Sequence, residues 1–374
     1  MTARPPPGHE PTQLMPRRDV GAELRPGHPL QEFVIEGLIG IGGYSIVYRA
    51  RDTRLDRLVA LKEYIPATLA LRYPDGSVQA RTPRHVEHFH LGLRSFINEA
   101  RLLASFDHPA LVKVYRFWSE NGTAYMVMPL YEGVTLKKWL ADLGAPPSEA
   151  WLRELARQLT EALGVLHAAR CFHRDVAPDN ILLQFDPRAG TSFLEQPPRP
   201  LLLDFGAARR VVGDATQQLT AILKSGYSPV EQYEGAETKR QGAWTDVYAL
   251  AAVLYTAVTG RAPASSIARI VKDPMPSAAR AAAGRCSAPF LAAIDAGLAV
   301  RPEDRPQSMA AFRAALDASV PVTPPAAPRA APARPAPAAS PTPPAAAPHH
   351  LAALVAGAVA GASLVAALLW WALR

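Results

Sequence analysis

The sequence predicts an α+β, two-lobed catalytic unit, followed by a disordered linker and a single transmembrane helix. Three observations carry that expectation. The chain has 374 residues, enough for one two-lobed unit with appendages. Its middle holds Cys171-Phe172-His173-Arg174-Asp175-Val176-Ala177-Pro178-Asp179-Asn180-Ile181, with Leu203-Asp204-Phe205-Gly206 downstream. Its end passes from an almost pure Pro/Ala stretch into an uncharged apolar run.

Composition narrows the classes. A hydrophobic share of 49 % suits a packed core, although the Ala-rich tail raises it. The formal charge of +7 lies largely in the arginines of the N-terminal arm and the Pro-rich tail, as solvated or membrane-facing charge. No basic stretch is interleaved with aromatics, so no nucleic-acid partner is expected. The two cysteines, Cys171 and Cys286, form neither a CxxC nor a metal spacing and read as free thiols of a reducing compartment. No apolar signal-peptide region is visible near the start.

Residues 1–28, rich in Pro, Arg and Gly, read as a disordered arm. A folded domain is expected over 29–319, its small lobe ending near residue 130. Folding starts near Phe33-Val34-Ile35. The run from Leu38 to Tyr48 reads as strand, Gly-rich turn, strand, and such a turn lets backbone N–H groups approach phosphates. Val59-Ala60-Leu61-Lys62 is the next strand. Arg94 to Leu103 has apolar residues at helical spacing and offers Glu99 as an acidic partner for Lys62; Glu87 is the weaker choice. Between them, Glu63 to His90 reads as an insertion containing the turn Tyr73-Pro74-Asp75-Gly76. Leu111–Tyr115 and Thr123–Met128 read as strands, Pro129–Gly133 as the link between lobes, and Trp151–His167 as a long amphipathic helix.

The central motif has the spacing that phosphoryl transfer needs. Asp175 meets the proton of an attacking hydroxyl, while Asn180 and Asp204 hold Mg2+. In order and local pattern these motifs resemble a bacterial Hanks-type (eukaryotic-like) serine/threonine protein kinase, over about residues 30–318. The resemblance implies ATP with Mg2+, or Mn2+ in its place. It implies nucleotide contacts from Ile39, Gly40, Gly42, Gly43, Val47, Ala60, the gatekeeper Met128, Pro129, Tyr131 and Leu182. It places Lys62 on the phosphates, paired with Glu99, makes Asp175 the catalytic base, and implies protein substrates.

Departures matter as much as matches. Ser45 stands where the family's glycine loop has its third glycine. Ala177 stands where serine/threonine kinases carry a lysine that neutralises the moving phosphoryl group. Counting back from Glu231, the glutamate of the activation-segment end motif, Lys224 replaces the usual threonine. The expectation is that the cation has moved from position 177 to Lys224. Arg174, joined by Arg209, implies activation by phosphate on Thr216 or Thr220. Asp246 would hold the catalytic loop, and Arg305 would pair with Glu231. Residues 186–200 read as a loop between two short strands, and Ser308–Leu316 as the last helix.

Residues 320–350 read as an extended Pro/Ala-rich linker, and 351–373 as a transmembrane helix about 34 Å long. Trp370 and Trp371 fall at an interfacial belt, and only Arg374 follows, so no outer domain is expected. Gly357 and Gly361 form a GxxxG, consistent with a homodimer. The whole reads as a single-pass protein of the cell inner membrane with its kinase domain in the cytoplasm, phosphorylating Ser or Thr of proteins in signalling. The alternative is a nucleotide-binding pseudokinase scaffold; a kinase-fold enzyme acting on a small molecule ranks below it.

Overall fold

A computed structural model describes residues 22–186, 188–192, 194–204, 223–233 and 241–318. The chain divides into two compact units, 1–321 and 322–374, and every described residue lies in the first. The predicted linker and membrane span, the GxxxG, Arg209, Thr216 and Thr220 lie outside the described residues. No helix among those residues is long and apolar enough to cross a membrane.

Strands dominate the first lobe. β1 (Pro29–Leu30), β2 (Phe33–Ile41), β3 (Ser45–Asp52) and β4 (Arg57–Tyr64) follow in turn, and β3 buries every second residue, as a sheet with one solvated face requires. β4 is buried throughout its second half because it sits mid-sheet. A hairpin of β5 (Ala70–Arg72) and β6 (Val78–Ala80) follows, then α1 (Val86–Ala104), β7 (Arg116–Glu120) and β8 (Thr123–Pro129). The main sheet is antiparallel in the order β1-β2-β3-β4-β8-β7, and α1 packs against β8.

Three expectations need correction here. The insertion is shorter than 63–90: Glu63 and Tyr64 complete β4, and Val86 to His90 open α1. The expected strand 111–115 does not form: Leu111 makes a lone parallel bridge to Leu202, the Tyr115 N–H donates to the Val127 carbonyl at 2.8 Å, and β7 begins at Arg116. Residues 22–28, expected in a disordered arm, lie on the lobe. There Leu24 is buried, its N–H donates to the Tyr48 hydroxyl at 3.1 Å, and the Gly27 N–H donates to the Ile35 carbonyl at 2.8 Å.

The insertion is stitched to the lobe through charge. Arg72 donates to Glu63 Oε2 at 2.5 Å, to the Ala22 carbonyl at 2.8 Å and to the Gly76 carbonyl at 3.0 Å. Glu63 is fully buried and also accepts from the Tyr48 hydroxyl at 3.0 Å. A carboxylate at that depth persists only when paired and hydrogen-bonded, so the hairpin supplies what β4 needs.

Helices build the second lobe. β9 (Gly133–Thr135) leads into α2 (Leu136–Leu143), capped by Thr135 Oγ1, which accepts from the Lys138 N–H at 3.2 Å. α3 (Glu149–Ala168) buries Leu152, Leu155, Leu159, Leu163 and Leu166, one stripe at helical spacing. β10 (Ile181–Gln184) pairs with β9 and β11 (Pro200–Leu202), flanking the predicted 186–200 loop. α4 (Ala243–Thr259) is apolar all round and buried along nearly its whole length. α5 (Ser266–Val271), α6 (Ala278–Ala281), α7 (Ala288–Gly297) and α8 (Met309–Asp317) complete the lobe, with α8 packed on α3 and α7.

Candidate active site

Sheet register sets the first half of the site. Gly40 pairs with Val47, Val47 with Lys62 and Lys62 with Met126, while Ala60 pairs with Met128. Cross-strand partners, and residues two apart on one strand, share a face, so these side chains line one surface. Ile39 is half exposed on β2, Pro129 pairs with Val59, and Leu182 lies on β10 between Thr135 and Leu201. The Tyr131 hydroxyl accepts from the Lys113 N–H at 3.2 Å.

The glycine turn closes with the Gly42 N–H donating to the Ser45 carbonyl at 2.8 Å. A Cβ on Gly42 would lie 3.3 Å from that carbonyl oxygen, whereas Gly40 and Gly43 have open space. Ser45 in place of a third glycine belongs to β3 and pairs with Tyr64. The Tyr44 and Gly43 carbonyls accept from the Ile65 and Ala67 N–H groups at 3.0 and 3.1 Å, tying the turn to the start of the insertion.

Lys62 is buried between two carboxylates. Its Nζ lies 2.6 Å from Asp204 Oδ1 and 3.6 Å from Glu99 Oε1, and 5.8 Å from the centre of the Phe96 ring. Burial alone would lower the ammonium pKa, but Asp204 and Glu99 outweigh it and raise it. Lys62 in turn holds the Asp204 carboxyl below its usual range. Glu99 is thus the α1 carboxylate that lies beside Lys62, whereas Glu87 lies in the first turn of the same helix.

The catalytic loop hangs from α4. Asp246 is fully buried and accepts from the His173 N–H at 2.8 Å and the Arg174 N–H at 2.7 Å. His167 Nε2 lies 2.8 Å from the same carboxylate. Burial would raise the Asp246 pKa, yet its bonds to His167 and to the Arg174 backbone carry it below the usual value. The Arg174 carbonyl accepts from Gln232 Nε2 at 2.8 Å. Arg174 and Asp204 both have positive φ, 66° and 47°, a left-handed conformation that non-glycine residues hold only under surrounding restraint. For Arg174 the restraint is this bonding. His167 and Gln232 were missed in the sequence, because both act through a backbone group or a buried carboxylate far along the chain.

Asn180 donates Nδ2 to the Asp175 carbonyl at 2.8 Å and to Asp175 Oδ2 at 2.7 Å. That orientation leaves Asn180 Oδ1 as an acceptor. With the Asp204 carboxylate it makes a hard-oxygen pair suited to a divalent cation that keeps waters and phosphate oxygens as its other ligands.

Lys224 points at the loop. Its Nζ lies 2.9 Å from Asp179 Oδ1 and 3.6 Å from Asp175 Oδ2, and its carbonyl accepts from the Tyr227 and Ser228 N–H groups at 3.0 Å each. Ala177 is fully buried and carries no charge. Further on, Arg305 donates to both oxygens of Glu231 at 2.7 and 3.1 Å, a buried pair that also takes a bond from the Thr245 hydroxyl at 3.0 Å.

A strand-rich lobe, a helical lobe, a lysine clamped by two carboxylates and an Asp–Asn loop define a two-lobed fold that carries the groups phosphoryl transfer uses. Residues 33–315 match the protein kinase domain family, and the chain belongs to that family. It is 32 % identical over 276 residues to serine/threonine-protein kinase PknD of Mycobacterium tuberculosis, covering 72 % of this chain and 36 % of that protein. With PknB of the same species it is 32 % identical over 299 residues, covering 76 % and 42 %. The chain thus spans less than half the length of these relatives. Among solved structures, one described as "PpkA-294 apo form" is 41 % identical with a TM-score of 0.69, covering 79 % of this chain and 100 % of its own. The kinase domain of M. tuberculosis PknI, 22 % identical with a TM-score of 0.57 over 79 % of this chain, shares the fold.

Proposed function

We propose that this chain moves the γ-phosphate of ATP to Ser or Thr hydroxyls of proteins. The observation that carries the proposal is the bridge from Lys62 to both Glu99 and Asp204, beside an Asp175 held by Asn180. A raised pKa keeps Lys62 charged, so it can bind phosphate oxygens throughout the reaction. The surface of Val47, Ala60 and Met128, covered by the Ile39–Gly43 turn, suits adenine, with Pro129 and Tyr131 supplying backbone contacts and Leu182 the floor. Asp204 and Asn180 would hold Mg2+, or Mn2+ in its place, which neutralises phosphate charge when bound. Asp175 orients the acceptor hydroxyl and takes its proton.

Lys224 supplies the cation that Ala177 lacks. Asp179 anchors the ammonium at 2.9 Å, which positions it over Asp175 where the transferring group gains charge. This placement favours catalysis over the scaffold alternative.

Regulation and place follow from the sequence. Phosphate on Thr216 or Thr220 would pair with Arg174 and Arg209. Residues 351–373 would tether the kinase to the inner membrane with its domain in the cytoplasm, and Gly357 and Gly361 would allow a homodimer.

The test is phosphate incorporation from ATP·Mg2+ by the full chain in detergent, read by intact mass and on a generic protein acceptor. Lys62→Met and Asp204→Asn serve as controls. Phosphate with the wild type alone supports the proposal; nucleotide binding without phosphate on chain or acceptor moves the assignment to the scaffold.

A further inference from the structure

We infer that a cavity beside the catalytic loop is a subsite for an acidic side chain flanking the acceptor hydroxyl of the protein substrate. The inference rests on the kinase proposal and names a substrate class for it. The cavity, about 710 Å³, is bounded by α2, the loop at Pro178 and Asp179, the stretch Lys224 to Tyr227, the end of α4, and Arg285. Its described charged lining is Lys137, Lys224, Arg285 and a single acid, Asp179. Asp179 is already engaged by Lys224 at 2.9 Å, so the charge of Lys137 and Arg285 stands in excess.

Among the described residues those two cations are not spent on ion pairs. Lys137 makes no hydrogen bond or ion pair among the described residues, whereas its neighbour Lys138 pairs with Asp142 at 2.8 Å. Arg285 gives one guanidinium nitrogen to the Ala281 carbonyl at 2.5 Å and meets no carboxylate among the described residues. The cavity is also continuous with the chemistry, because Lys224 belongs to its wall and lies 3.6 Å from Asp175. An extended substrate advances roughly 3.3 Å per residue, so a residue two or three from the acceptor reaches into a cavity that starts at the catalytic loop. A carboxylate there gains two cations; a lysine meets repulsion. Thr216, the expected site of autophosphorylation, has such a neighbour, for Asp214 lies two residues before it, and a second copy could present it.

The experiment uses the full chain in detergent and peptides with one Thr among Ala and Gly, with Asp or Lys placed singly at each of the three positions on either side. The expected result is a kcat/KM ratio of Asp to Lys peptide of roughly fivefold or more at one or more positions, carried by KM. In Lys137→Glu/Arg285→Glu the order should reverse, and a gain on the Lys peptide cannot come from misfolding. If the double variant does not fold, Lys137→Glu alone must shift the ratio in the same direction. Equal use of Asp and Lys peptides by the wild type, or a preference unchanged in the variants, overturns the subsite while leaving the kinase proposal standing. No phosphate on any peptide or on the chain itself overturns both.

Discussion

The ammonium of Lys224 lies 3.6 Å from the Asp175 carboxylate and 2.9 Å from that of Asp179, in a site where Ala177 provides no cation. Lys224, itself a departure from the family pattern, thus stands beside two carboxylates of the loop that carries Ala177, as the proposed transfer of the cation requires. Lys224→Ala should lower kcat on the order of 100-fold, as expected for a cation directed at transition-state charge, with little change in the KM for ATP. Lys224→Arg should recover part of the loss. A change in kcat below about threefold for the alanine variant would refute the role.

Asp246 carries the geometry of the catalytic loop. Removing its carboxylate leaves the His173 and Arg174 N–H groups unsatisfied beside a partly buried His167. Asp246→Ala should cost about 3–5 kcal/mol in denaturant unfolding and abolish turnover, because the left-handed Arg174 backbone loses its restraint. Unchanged stability with activity intact would mean that the loop holds itself.

The inserted hairpin earns a similar test. Arg72→Met leaves Glu63 fully buried without its cation, one residue after Lys62, and should destabilise the small lobe by about 3 kcal/mol or more. Adding Glu63→Gln should restore most of that loss, since a neutral amide costs less to bury than an unpaired carboxylate. If the double variant is no more stable than the single one, the hairpin acts through packing instead.

Cys171 should be slow to react. Burial pushes its thiol up to about 11, so the thiolate is scarce at pH 8. Iodoacetamide should label it far more slowly in the native protein than in denaturant, and the native rate should keep rising with pH beyond 9. Rapid native labelling at pH 8 would contradict its burial.

Much of the site was legible because its parts are local patterns. Asp175 and Asn180 are five residues apart, so their bond follows from one loop. Lys62 on a strand, Glu99 on a periodic helix and Asp246 on an apolar helix were all recognisable from their neighbours. The insertion was legible only as extra length. Its purpose depends on Arg72 reaching Glu63 and, across the sequence, the carbonyl of Ala22, which no local pattern encodes. The strand expected at 111–115 failed for a related reason. Its apolar run is buried at Leu111 and Val112, but only at its end, where the Tyr115 N–H bonds to the Val127 carbonyl, does β8 lie alongside.

By itself the sequence determined the kinase family, the order of the lobes and the candidate residues of the site, because residue type and short spacing are written along the chain. Only the tertiary structure decided that Lys62 stands between Glu99 and Asp204, 142 residues downstream, and that Lys224 turns toward Asp175 and Asp179. Distances of a few ångströms between side chains far apart in sequence are set by sheet register and helix packing. The energies that set them are sums over many burials and bonds, and no single motif contains that sum.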